Sequence, residues 1–227
     1  MAQIKDQDSI MGKFIEEKEV ARGNWLALRK ITYSDPKGKT RTWETVSRIV
    51  NDKTSERAVC VIAVLKRTLK FDSILLVKQY RPPLRTCTIE FPAGMIDVNE
   101  TAEQSACREL KEETGYVGIV KHISPTTCLD PGVGNNLVTL ATVEIDGDDP
   151  SNQSPKPDLG KFTNFEVSTN VTSYSPTTNE FIETIKVPVC ELLVQLNEFS
   201  AMGYVINSQV YSYAIAMEQC KKKKHTV

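Results

Sequence analysis

Glu109, Glu112 and Glu113 fall within five consecutive residues, directly after Arg108, in a stretch whose apolar positions recur at helical spacing. On a helix of 3.6 residues per turn, Glu113 lies about 40° around the axis from Glu109 and Glu112 about 60° to the other side. Three carboxylates on one face repel one another, and a like-charged i,i+4 pair costs an isolated helix about 0.2–0.5 kcal/mol. A cation seated among them removes that penalty. Donors that are all hard oxygens suit Mg²⁺ or Mn²⁺, ions that retain waters and bind a substrate phosphate at the same time. The competing reading is a solvated acidic helix face.

The residues around the cluster supply what such a helix needs. Thr101 and Gln104 form a Thr-x-x-Gln capping box at its start. Ala102, Ala106 and Leu110 recur at i,i+4, with Cys107 and Leu110 adding an i,i+3 pair, which predicts a buried stripe. Arg108 stands four residues before Glu112, within reach of an ion pair that would hold that carboxylate. Gly115 suits the left-handed position that ends a helix. Gly94 lets the preceding loop turn tightly.

Composition narrows the class of protein. The chain has 227 residues, 28 Lys and Arg against 29 Asp and Glu, and a net charge of −1. That near-neutral balance gives no reason to expect capture of a nucleic-acid backbone. No apolar run reaches the roughly 18 residues of a membrane span, and the charged start MAQIKDQDSIMGKFIEEKEV carries no secretory leader. Cys60, Cys87, Cys107, Cys128, Cys190 and Cys220 show no metal-ligand spacing and read as reduced core thiols of a cytoplasmic or nuclear protein. His122 and His225, the only histidines, speak against zinc or a His-based triad. The Lys221 to Lys224 run reads as a frayed helix end, with nuclear targeting as a second reading.

Two units are expected. Residues 24–33 and 40–50 are β-rich and flank the turn Ser34 to Lys39, predicting a hairpin in a small antiparallel domain over 1–55. The remainder, 56–227, predicts an α/β (α+β) body. Its strands are expected at 58–65, 73–80, 137–145 and 181–188, the first two buried on both faces. Its helices are the acidic one, a second over 189–201 and a third over about 208–221. Residues 146–179 are dominated by Asp, Ser, Thr, Asn and Pro and read as a long insert, either lid or disordered. Phe162, Phe165, Val167 and Tyr174 are too apolar for a pure linker, so part of the insert is expected to dock. The sequons at Asn152 and Asn170 mean little without a secretory signal.

Gly94, Glu100, Arg108, Glu109, Leu110, Glu112, Glu113, Gly115 and Tyr116 together match the Nudix signature, with an aromatic residue where the last position is usually aliphatic. Segments 38–48, 74–84, 89–100, 128–132 and 210–217 resemble the ADP-ribose/ADP-sugar pyrophosphatase branch of that family. The resemblance implies a mixed β-sheet sandwiched between helices and Mg²⁺-dependent hydrolysis of an ADP-sugar to AMP and a sugar phosphate. It implies metal ligation by Glu109, Glu112, Glu113 and the Ala93 carbonyl, with Glu90 reaching a metal through water. Arg108 and Glu112 join the catalytic set, and Glu180 is the implied base, with Glu183 and Glu166 as alternatives. Adenine would stack between Trp25 and Trp43 from the two subunits of a homodimer. Glu44 and Arg48 would hold adenine or its neighbours, Arg81 the diphosphate, and Met95 and Asp130 other parts of the substrate. Other readings are a Nudix hydrolase of oxidised nucleotides, NADH or dinucleoside polyphosphates, or a non-catalytic nucleotide-binding module.

Overall fold

The computed structural model describes residues 10–50, 54–157, 173–175 and 180–224. The first unit is a three-stranded antiparallel sheet in the order β1-β2-β3, formed by β1 (Lys13–Arg22), β2 (Leu26–Ser34) and β3 (Thr40–Arg48). β2 and β3 are the expected hairpin, paired without irregularity from Leu26↔Arg48 to Ser34↔Thr40. Asp35 shapes its turn by accepting from the Lys37 and Lys39 amides. β1 lies outside the expectation. All ten of its residues are exposed, so no inward-facing apolar pattern announces it. Its ladder to β2 is reinforced by an Arg29–Glu17 ion pair at 2.7 Å.

The body is a ten-stranded mixed sheet. It opens with β4 (Thr54–Arg67) and β5 (Lys70–Arg81), continues through β6 (Thr86–Glu90) and β7 (Ala93–Asp97), and reaches helix α1 (Ala102–Thr114). After α1 come β8 (Ile119–Ile123), β9 (Thr127–Cys128) and β10 (Leu137–Asp146), then β11 (Ser173–Ser175) and β12 (Glu180–Pro188). Helix α2 (Leu192–Ala201), β13 (Val205–Ile206) and helix α3 (Ser208–Lys224) complete it. The main path runs β11-β12-β5-β4-β10-β8, with β4 and β10 parallel and the other neighbours on it antiparallel.

Strand periodicity divides the core between the two faces. Val59, Val61, Ala63 and Leu65 of β4 pack with Leu75, Ala106, Leu110 and Tyr116 on the α1 side. Cys60 of β4 joins Ile74, Leu76, Ile89 and Phe91 against Leu192, Leu196, Val210 and Ala214 on the α2/α3 side. The sheet is thus sandwiched between helices, as expected. The expected helix over 189–201 begins as a 3₁₀ turn, Val189–Glu191, before α2 proper.

Two expectations are corrected. All six cysteines are free, but only Cys60 is buried; Cys128, Cys190 and Cys220 are exposed, so the thiols are not a core set. The insert also begins as ordered chain. Asn152 is buried, donates from Nδ2 to the carbonyls of Val117 and Asp146, and accepts at Oδ1 from the Val117 amide. A side chain so engaged is closed to glycosylation. Phe162, Phe165, Glu166, Val167 and Asn170 lie outside the described residues. Among the described residues, no helix is long and apolar enough to cross a membrane.

Candidate active site

Helix α1 carries the acidic cluster, and its ends are built as the sequence requires. Thr101 Oγ1 accepts from the Gln104 amide at 3.2 Å while Gln104 Oε1 accepts from the Thr101 amide at 2.9 Å, completing the capping box. Gly115 terminates the helix at φ 75°. Ala106 and Leu110 are fully buried against the sheet, which fixes the rotation of α1 and turns Glu109 toward β7.

Arg108 organises the acids. Its Nε and Nη2 donate to the two oxygens of Glu100 at 2.9 and 2.8 Å, and Nη2 also donates to the Met95 carbonyl at 2.9 Å. Nη1 donates to Glu109 at 2.6 Å and to Glu112 at 3.3 Å. The expected Arg108–Glu112 pair therefore exists but is the longest of these contacts, and the principal partner is Glu100. Eight residues and a loop separate Glu100 from Arg108, a spacing no helical period reveals. Met95 enters the site through its backbone carbonyl, which Arg108 occupies.

Glu109 is the buried member of the cluster. Burial pushes its carboxyl up to about 7, with Glu112 and Glu100 adding repulsion and Arg108 opposing both effects. Gly94 lies directly against it, and a Cβ added at Gly94 would collide with the Glu109 carboxylate. Gly94 lies within strand β7 and not in a turn, so the glycine is needed for this close approach. One residue back on β7, the Ala93 amide donates to Glu113 Oε2 at 3.2 Å. From the opposite side, Thr184 of β12 donates to the Glu113 carbonyl at 3.2 Å.

These groups suit a divalent cation in donor chemistry, since Glu109, Glu112 and Glu113 offer only hard oxygens. The raised Glu109 carboxyl is a second sign of fit: its negative charge is undercompensated by Arg108 alone. Among the described residues, no three acidic, His or Cys side chains are grouped so that they could hold a metal ion as they stand. Glu112 and Glu113 are only partly buried.

Arg81 ends β5 with extended backbone, φ −109° and ψ 102°, as the following Pro82-Pro83 demands. Its Nε and Nη2 both donate to Glu90 at 2.8 Å. Together with Pro83, Leu84, Thr88, Val205 and Asn207 this pair lines a cleft of about 310 Å³. Glu183 is not placed to act beside α1. It is one residue out of phase with Thr184 on β12, and its carboxylate sits 2.6 Å from Lys78 Nζ. Glu180 opens β12, where its backbone pairs with Ser175 of β11.

Strand β3 of the N-terminal sheet is hydrogen-bonded to a loop of the body. Trp43 Nε1 donates to the Gly132 carbonyl at 3.1 Å, Thr45 Oγ1 to the Val133 carbonyl at 3.0 Å, and the Val46 amide to the same Val133 carbonyl at 2.9 Å. That loop follows the exposed Asp130, whose carbonyl closes the turn by accepting from the Val133 and Gly134 amides. Trp25 precedes β2 and is 78% exposed; Trp43 is 48% exposed. The β2–β3 register sets Trp43 opposite Ile31, six residues along from Trp25. At about 3.4 Å per residue the two rings belong to backbone positions about 20 Å apart. Trp43 shares a face with the buried Thr45 and Ser47, whereas Glu44 and Arg48 occupy the other face.

A family profile described as NUDIX domain matches residues 54–166. An ADP-sugar pyrophosphatase of Mus musculus is 40% identical over 223 residues, covering 97% of this chain and 94% of that protein. An ADP-ribose pyrophosphatase of Saccharomyces cerevisiae is 34% identical over 219 residues, covering 96% and 87% respectively. Among solved structures, the fold is similar to a crystal structure of an ADP compounds hydrolase, with a TM-score of 0.57 and 16% identity over 95% of this chain and 97% of that one.

Proposed function

This chain belongs to the NUDIX family, and from that premise we propose that it hydrolyses the diphosphate of ADP-ribose and related ADP-sugars to AMP and a sugar phosphate. The observation that carries this reading is the 40% identity to an ADP-sugar pyrophosphatase over 97% of the chain, which takes in the N-terminal sheet as well as the signature helix.

A diphosphate resists attack because its anionic oxygens repel the nucleophile. Mg²⁺ or Mn²⁺ held by Glu109, Glu112, Glu113 and the Ala93 carbonyl would offset that charge and acidify a bound water. Arg108 keeps Glu109 and Glu112 in place from behind, and Glu100 in turn holds Arg108. Arg81 presents a guanidinium to the diphosphate. Glu180 is assigned as the base that takes the proton of the attacking water; its strand position, four residues before Thr184, supports this, and Glu183 is tied to Lys78.

The adenine is assigned to Trp25 and Trp43 in a homodimer. An adenine slab fills only about 7 Å between stacked rings, and backbone positions about 20 Å apart on one sheet favour a pair drawn from two chains. Two chains related by a two-fold axis supply the pair. Glu44 and Arg48, on the other face of β3 from Trp43, are assigned to adenine or its neighbours.

The test is product analysis with ADP-ribose and Mg²⁺. Stoichiometric AMP and ribose 5-phosphate, abolished by chelation and by Glu113→Gln, is the expected result. Intact ADP-ribose after exhaustive incubation of the folded wild type would refute the proposal.

A further inference from the structure

Glu90 and Arg81 form the most closely fitted ion pair in the cleft, and the sheet explains why they meet. β5 and β6 pair in unbroken register, Val77↔Glu90, Gln79↔Thr88 and Arg81↔Thr86. Arg81, Gln79 and Val77 share a face of β5, and Thr88 and Glu90 share the matching face of β6. Glu90 lies four residue levels from Arg81, about 13 Å along the strand direction. The guanidinium therefore folds back along the sheet, over the level of Thr88, to reach the carboxylate. Both of its bonds there are 2.8 Å long and use different nitrogens and different oxygens. A bidentate fork fixes the plane of the guanidinium as well as its position.

Glu90 is itself held. Thr88 Oγ1 donates a short hydrogen bond to Glu90 Oε1 and also lies 3.1 Å from the Gln79 carbonyl. The Glu90 side chain is 15% exposed and that of Arg81 39%, so the acid forms the floor and the base the open side of the pair. Burial disfavours ionisation of Glu90, but the Arg81 and Thr88 hydrogen bonds outweigh it and hold the carboxyl below its usual range.

We propose that Glu90, backed by Thr88, is a positioning residue that aims Arg81 at the substrate diphosphate and is not itself a cation ligand. This departs from the expectation that Glu90 reaches a metal through water, and it rests on the hydrolase reading above. Both carboxylate oxygens are committed to Arg81, and the guanidinium neutralises the charge that a cation would need. The Thr88 hydroxyl proton is committed to Glu90, so Thr88 serves to hold the acid.

The experiment is a double-mutant cycle of Glu90→Gln and Arg81→Ala, with KM, kcat and the Mg²⁺ concentration for half-maximal rate measured for each, after melting curves show that the variants fold. Glu90→Gln is expected to raise KM for ADP-ribose by about tenfold with kcat within about threefold. Arg81→Ala is expected to cost more, and the double variant to match Arg81→Ala alone. Mg²⁺ half-saturation stays unchanged throughout. Additive losses in the double variant, or a Glu90→Gln defect seen mainly in kcat with a shifted Mg²⁺ requirement, would overturn the proposal. Crystal structures of the wild type and Glu90→Gln test it without any turnover. A displaced Arg81 guanidinium in the variant supports the proposal, and one that keeps its place refutes it. A wild type that leaves ADP-ribose intact would instead count against the proposed function.

Discussion

At the scale of single residues, the chemistry rests on a carboxylate that the fold has made hard to ionise. Glu109 has its folded pKa raised to about 7, above the ordinary carboxylate value, chiefly through burial. Between those two values the folded state binds more protons than the unfolded state, so stability falls as pH rises through the window. Glu109→Gln removes that penalty. In chelator-treated protein it is expected to raise the denaturant midpoint at pH 8 and to change it little at pH 5. Equal effects at both pH values would contradict the assignment. Gly94→Ala drives a methyl group into the same carboxylate. It is expected to destabilise by about 1–3 kcal/mol, as overpacking does, and to abolish turnover; urea unfolding and rate measurements check the two parts. The acids themselves were legible because helical geometry dictates who shares a face. The Glu100 clamp on Arg108 was not, since a loop separates the partners and loops carry no period. Likewise Glu90 stands nine residues from Arg81, and only the β5–β6 register brings them together.

Among the elements, those with apolar runs or a flanking turn signal were legible and the others were not. Strands β4 and β5 carry continuous buried runs such as Ile74 to Val77, and α1 carries a clear stripe with caps at both ends. β1 was silent because no residue of it is buried. β6, β7, β9 and β13 are five residues or fewer and gain their order from neighbouring ladders. The join between β3 and the loop at Gly132 to Gly134 could not be foreseen, since it consists of hydrogen bonds to loop carbonyls. It has a testable consequence. Trp43 gains its orientation from the Gly132 carbonyl and, on the proposed function, supplies a stacking face worth about 1–3 kcal/mol. Trp43→Ala is therefore expected to raise KM for ADP-ribose by about 10- to 100-fold, with kcat changed far less. Trp43→Phe, which keeps a ring but not the indole N–H, is expected to fall between the two in steady-state assays. Unchanged kinetics in Trp43→Ala would remove the stacking role.

For the whole molecule, the sequence singles out two tryptophans, and the β2–β3 register sets their backbone positions about 20 Å apart. If each adenine site takes Trp25 from one chain and Trp43 from another, Trp25→Ala and Trp43→Ala should complement. A statistical mixture of the two variants, unfolded and refolded together and assayed with ADP-ribose well below KM, is expected to recover about a quarter of wild-type activity, because half the dimers carry one intact site of two. No recovery from a mixture shown to contain heterodimers would rule the shared site out. Everything else presupposes that the acids of α1 hold a divalent ion, and the most direct test is a Mn²⁺ titration followed by electron paramagnetic resonance. The wild type is expected to bind Mn²⁺ more tightly as pH rises toward about 7, where Glu109 ionises, while folded Glu109→Gln and Glu113→Gln lose that binding. Undiminished Mn²⁺ binding in both variants would contradict the account.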